Sequence, residues 1–339
     1  MAGLNRTLLL AAVTIGMIAG TAFADTKDKK IAFSNNYAGN SWRQAMLKSY
    51  DIVTKKAVAD GVVTAADVFT TADKEVPTQA AQIQNLILQG YDAIVINASS
   101  PDALNGAIKK ACEQKIVVVS FDGIVTEPCA WRVVVDFKDM GRQEVEHMAK
   151  FQPKGGSLLE IRGLAGTSID EAIHAGILEG VAAHPEFKIV ASVTGDWDQT
   201  TAQKAVATVL PSLPEIVGVV DQGGDGYGAA QAFAAAGRPR PTIIMGNRQD
   251  ELEWWKEQKA KDGYLTWSAS IAPGVSTLAF WVAQQILDGK DVPHDLLVPY
   301  LAFTQDDFEA ALPNIEKGGV ASHEYTQSDA EAAIKANMK

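Results

Sequence analysis

From Ile31 onward the chain repeats one unit: a short apolar run rich in β-branched residues, a polar tip, and an amphipathic helix. Ile31-Ala32-Phe33 passes through Ser, Asn, Tyr and Gly into a helix opening at Ser41. Residues 62–70 lead to a helix over 79–89, and residues 92–96 lead to Asn97. Ser100-Pro101-Asp102 then supplies an N-cap, a proline at the first helical position and a carboxylate facing the helix dipole. Residues 116–121 end at Asp122, and 132–135 end at Asp136. Strands apolar on both faces, alternating with helices, predict a parallel sheet covered on both sides.

A second set of units follows. Residues 157–161 end at Arg162-Gly163, and 188–194 end at Gly195-Asp196-Trp197-Asp198. Residues 216–220 end at Asp221-Gln222-Gly223-Gly224, 242–245 at Gly246-Asn247-Arg248, and 264–268 near Ser270. With 339 residues, the two sets predict two similar α/β domains facing each other, divided near Asp136.

Residues 1–24 stand apart. Arg6 is their only charge, 8–22 are apolar but too short to span a bilayer, and Ala22-Phe23-Ala24 is an A-x-A cleavage site. The expectation is a secretory signal peptide cut after Ala24, with no cysteine nearby for a lipid anchor and a mature protein beginning at Asp25 in the periplasm. The formal net charge of −11 supplies no basic face for nucleic acid.

The tips carry the candidate chemistry, because ligands of open α/β sheets bind at the carboxyl ends of the strands. Ser41-x-x-Gln44 reads as a capping box holding Asn40, Trp42 and Arg43 at a strand-to-helix mouth, with Asn35, Asn36 and Tyr37 beside them. The competing reading has Trp42 covering the sheet edge. Trp42 and Trp197 sit at corresponding tips of the two halves, where they can sandwich the apolar faces of a sugar or polyol. Asp122 and Asp136 can accept hydrogen bonds from hydroxyls, do acid and base work as a glycosidase pair, or simply cap helices. Asn97, Gln222, Asn247, Arg248 and Ser270 complete the tips. His174, on the first turns of a cleft-facing helix, joins the set by position, although a lone His reads first as a packing or surface residue.

Catalytic and cofactor motifs are absent. There is no G-x-G-x-x-G after the first strand, no G-x-S-x-G, no Walker loop and no H-E-x-x-H, and the five His residues have no metal-ligand spacing. Neither cofactor nor metal is expected. Cys112 and Cys129 each precede a strand of the first half. If those strands are parallel neighbours, both cysteines lie at the amino edge of the sheet, and export favours a disulfide between them.

The order IAFSNNYAGNSW, DAIVINASSPDAL, VVVSFDG, VVVDFKDMGR, LEIRGLAGTS, GDWD, VVDQGGDGYGA, GNRQ and SASIAPG resembles the periplasmic sugar-binding proteins of ABC importers, in the ribose-binding branch. The resemblance implies the type I periplasmic binding protein fold: two Rossmann-like parallel-sheet lobes joined by a multi-strand hinge, with ligand enclosed between them. It divides the chain into residues 25–135 plus 271–296, and 136–270 plus 297–339. It implies a monomeric receptor that hands a sugar or polyol to permease subunits, with a chemoreceptor as a further partner such receptors can have. By position, Asn40 and Trp42 match the first lobe's asparagine and stacking aromatic, Asp122 its sugar-binding aspartate, and Trp197 the second lobe's aromatic. Gln222, Asn247 and Ser270 fall near the later polar contacts. Gly123 stands where ribose binders carry an arginine, Ile173 falls near a second expected arginine, and Asn247 replaces an aspartate, departures that weigh against ribose itself and leave a carbohydrate or polyol as the expected class. The alternatives are a receptor for a signalling furanose such as autoinducer-2, a chemotaxis ligand carrier, and an exported glycoside hydrolase resting on Asp122 and Asp136. A lac-type repressor domain needs a basic helix-turn-helix where the apolar leader stands.

Overall fold

The computed structural model describes residues 25–72 and 75–338. The expected signal peptide and its cleavage site lie outside the described residues. The first lobe builds from β1 (Lys30–Asn35), α1 (Ser41–Ala59), β2 (Ala65–Thr70), α2 (Val76–Leu88), β3 (Ala93–Asn97), α3 (Asn105–Glu113), β4 (Val117–Phe121) and β5 (Trp131–Val135). The second lobe runs α4 (Phe137–Phe151), β6 (Gly156–Arg162), α5 (Ser168–Ala183), β7 (Phe187–Thr194), α6 (Gln199–Val209), β8 (Gly218–Val220), α7 (Gly226–Ala235), β9 (Thr242–Ile243), α8 (Gln249–Asp262) and β10 (Ser268–Ser270). The chain returns to the first lobe for α9 (Val275–Leu287) and β11 (Asp295–Val298), then to the second for β12 (Leu301–Phe303) and α10 (Phe308–Ala311). Last comes α11 (Gln327–Asn337).

The first sheet has the order β11-β5-β4-β3-β1-β2, and every pairing in it is parallel. Its central strands β1 and β3 are buried almost throughout, as continuous apolar runs covered on both faces should be. The second sheet is β7-β6-β8-β9, also parallel, and a bridge from Met245 to Ser268 continues it into the antiparallel pair β10-β12.

Several segments cross between the lobes: from β5 into α4, from β10 into α9, and from β11 to β12. The C-terminal tail adds another. Ala321 N–H donates to Asn247 O in the second lobe, and Tyr325 N–H donates to Thr277 Oγ1 on α9 in the first. α11 then packs on α9 and β11. The expected division placed all of 297–339 in the second lobe; Leu297, Val298 and α11 belong with the first. Ala330 and Ile334 of α11 are buried in that position, an apolar stripe like any other surface helix, so nothing in its spacing names its lobe.

Cys112 and Cys129 are bonded, with Cα atoms 6.4 Å apart. The bridge ties α3 to the loop before β5, at the edge of the sheet opposite the strand tips. A cross-link spanning 17 residues contributes about 3 kcal/mol by restricting the unfolded chain. Replacing both cysteines with serine should remove that stability in a urea titration and leave ligand affinity within twofold. A loss of affinity matching the loss of stability would show that the bridge also shapes the cleft.

Candidate ligand-binding site

The tips of both sheets meet across a cavity. Asn40, Trp42, Arg43 and Asp122 line it from the first lobe, and Trp197, Gln222, Gly223 and Arg248 from the second. Ser270 and Ile271 contribute from the crossing segment, and Phe137, Met140, Ile169 and Ile173 from the first turns of α4 and α5. The two tryptophans are each only 9 % exposed, so the lobes stand closed over this space. The cavity measures about 50 Å³ in positions open to a water centre.

Asn40 is the N-cap of α1, its Oδ1 accepting from the Arg43 N–H at 2.8 Å. The capping box expected from Ser41 and Gln44 does not form, since the Gln44 amide donates to Ala38 O instead. Asn is as good an N-cap as Ser, and the helix starts one residue after it. The cap aims Trp42 and Arg43 into the cavity, and Trp42 Nε1 donates to Ile271 O at 2.7 Å. Arg43 Nη2 meets Asp122 Oδ2 at 3.0 Å, with both side chains almost fully buried. Asn97 Nδ2 donates to the same oxygen at 2.8 Å, and Asn97 Oδ1 accepts from the Gly123 N–H. Burial pushes the Asp122 carboxyl above its ordinary value, and the Arg43 guanidinium opposes that rise. Asp122 holds φ at 56°, a left-handed conformation that Asp tolerates. Gly123 is required next to it, because a Cβ there would lie 2.5 Å from Ala98 O. The departure from the ribose binders' arginine therefore has a packing cause.

In the second lobe Trp197 also takes a left-handed φ of 55°, rare for a bulky residue and a form of strain that concentrates at binding sites. Its ring lies against Gly163, where a Cβ would approach within 2.2 Å. Gln222 is engaged at both ends: Nε2 donates to Asp170 O and Oδ1, and Oε1 accepts from Gly163 N–H. Arg248 donates to Gly224 O and Trp197 O. Behind it lie the buried carboxylates of Asp221, Asp225 and Glu251.

Burial drives all three of those carboxyls up, with Arg248 opposing and neighbouring acids adding to the rise. Asp225 reaches about 7 from an ordinary 3.8. Neither of its oxygens has a hydrogen-bond partner among the described residues. Between those two values the folded protein keeps a proton that the unfolded chain has released, so stability falls as pH rises through that window. The melting temperature should therefore drop between about pH 4 and about pH 7, and Asp225→Asn should flatten the drop. An unchanged slope in the variant would assign the dependence to other groups.

Other sequence candidates fall outside the cavity lining. Asp136 is exposed and caps α4, accepting from Asp139 N–H at 2.8 Å, so it forms no pair with Asp122 across the ligand. His174 lies one position past Ile173, turned about 100° around the helix, and its Nδ1 meets the buried Glu160 at 2.6 Å. Asn247 secures the crossing segment, donating to Leu301 O and accepting from Ser268 Oγ. Asn36 donates to Ala98 O, and the Tyr37 ring folds over Gly39. Asn97 acts from behind, through Asp122.

The sequence reading missed Phe137, Met140, Ile169, Ile173 and Ile271. Phe137 and Met140 are spaced i, i+3 and Ile169 and Ile173 i, i+4, as in any helix packed on a core, so no pattern marked them as cleft residues.

Residues 31–291 match the family described as a periplasmic binding protein domain. The xylitol-binding protein of Mycolicibacterium smegmatis is 29% identical over 257 residues, 73% of this chain and 71% of that one. The ribose import binding protein of Salmonella typhimurium is 27% identical over 217 residues, 63% of this chain and 72% of that one. The solved ABC transporter solute binding protein from Thermobispora bispora superposes with a TM-score of 0.85 at 32% identity, covering 91% of this chain and 95% of that one. A two-lobed parallel fold, a cavity at the facing strand tips and a family match over most of the chain agree, and the chain belongs to the periplasmic binding protein family of extracytoplasmic solute receptors.

Proposed function

We propose that this chain is the periplasmic receptor of an ABC importer for a small neutral sugar or polyol, which it encloses by hinge closure as a monomer and delivers to permease subunits. The observation that carries the reading is how the cavity's arginines are engaged. Arg43 is paired with the buried Asp122, and the Arg248 guanidinium is held on the carbonyl oxygens of Gly224 and Trp197, so neither is presented to an anionic ligand. Arg162, which could have joined them to hold a carboxylate, pairs with Asp170 and Glu171 instead. The names of the relatives point the same way, toward xylitol and ribose. The leader at residues 1–24 supports export with cleavage after Ala24, which an intact mass of exported protein checks.

A thermal-shift screen of neutral sugars, polyols and sugar acids tests the reading. At 100 times its dissociation constant a true ligand stabilises the protein by about 2.7 kcal/mol. A neutral polyhydroxylated compound should give that shift. A response to sugar acids alone would overturn the neutral class, and turnover of a glycoside would overturn the receptor.

A further inference from the structure

We propose that the ligand is a polyol or sugar whose end facing the second lobe is deoxygenated, carrying a methyl or methylene where a sugar would carry a hydroxyl. This rests on the reading above and narrows it. The two walls of the cavity differ in kind. The first lobe offers Asp122, Arg43 and Asn40, groups able to grip hydroxyls. The second lobe offers Phe137, Met140, Ile169 and Ile173, all hydrocarbon or thioether. Its polar side chains hold the protein together: both Gln222 ends are bound within the lobe, and Arg248 clamps Gly224 O and Trp197 O. A hydroxyl pressed against the Ile169–Ile173 face leaves water without a replacement partner, whereas a methyl there gains contact.

Calorimetry on matched pairs tests this: ribose against 5-deoxyribose, xylitol against 1-deoxyxylitol, and erythritol against butane-1,2,3-triol, with 2-deoxyribose as the internal control. In the pair that binds, the terminally deoxygenated member should bind at least fivefold tighter, and removal of an internal hydroxyl should weaken binding at least tenfold. Ile173→Thr, which adds a hydroxyl to this wall, should narrow or reverse the terminal preference; Met140→Gln serves the same purpose if the first variant does not fold. A tighter fully hydroxylated member overturns the proposal and leaves the polyol reading standing. A preference unchanged in a folded wall variant also overturns it. If no member of any pair binds, the polyol reading itself fails and this proposal with it.

Discussion

Asp122→Asn should weaken ligand binding by about 10- to 100-fold, and Asp122→Ala should weaken binding and destabilise the fold further. The carboxylate ends β4 inside the cavity, with Oδ2 held by Arg43 and Asn97. It lines the cavity, where a carboxylate can accept from a ligand hydroxyl. Charge-assisted hydrogen bonds contribute about 1.5–3 kcal/mol each, which converts to the stated range. Asn keeps the shape and tolerates the left-handed backbone, so its effect is read as lost charge. Either variant strips the buried Arg43 of its charge partner, a loss of about 3–5 kcal/mol where nothing replaces it; Asn keeps an oxygen to accept from the guanidinium, whereas Ala keeps none and adds about 1–2 kcal/mol of backbone strain. Calorimetry reads the binding and a urea titration reads the fold. An Asn variant that binds within threefold of the parent would remove Asp122 from the site.

Much of the site was legible because a parallel sheet turns strand ends into an address. Once the apolar runs are placed, their tips must gather at one edge, and Asn40, Trp42, Arg43, Asp122, Trp197, Gln222, Arg248 and Ser270 all do line the cavity. What the tips could not reveal is direction. Asp136 stands at the end of β5 just as Asp122 stands at the end of β4, but it starts a helix at once and its carboxylate turns back onto Asp139 N–H. His174 and Ile173 are neighbours in sequence, and the helix turns one toward Glu160 and the other into the cavity. The apolar wall was hidden for the same reason that α11 was placed in the wrong lobe. A buried helical stripe has one signature whether it faces a sheet, the other lobe or a ligand.

Trp197→Ala should weaken binding by about 30- to 700-fold and leave the liganded protein more open than the parent. Aromatic anchors in enclosed pockets lose about 2–4 kcal/mol on truncation, which gives that range. The effect on shape has a separate cause. Trp197 belongs to the second lobe, while Asp122 and Trp42 belong to the first, so the tryptophan adds its contact only when the lobes close. A ligand shifts the open–closed equilibrium by no more than its difference in affinity for the two states. Removing a contact made only in the closed state lowers that difference directly, whereas Asp122 contributes in both states. Trp197 also carries Arg248 on its carbonyl oxygen, but that bond uses the backbone and survives truncation. Small-angle scattering with and without saturating ligand should show a smaller decrease in radius for Trp197→Ala than for Asp122→Asn at matched occupancy. Normal affinity with normal compaction would make Trp197 a packing residue held against Gly163, and the second-lobe site would then have to be sought along the apolar wall of α4 and α5.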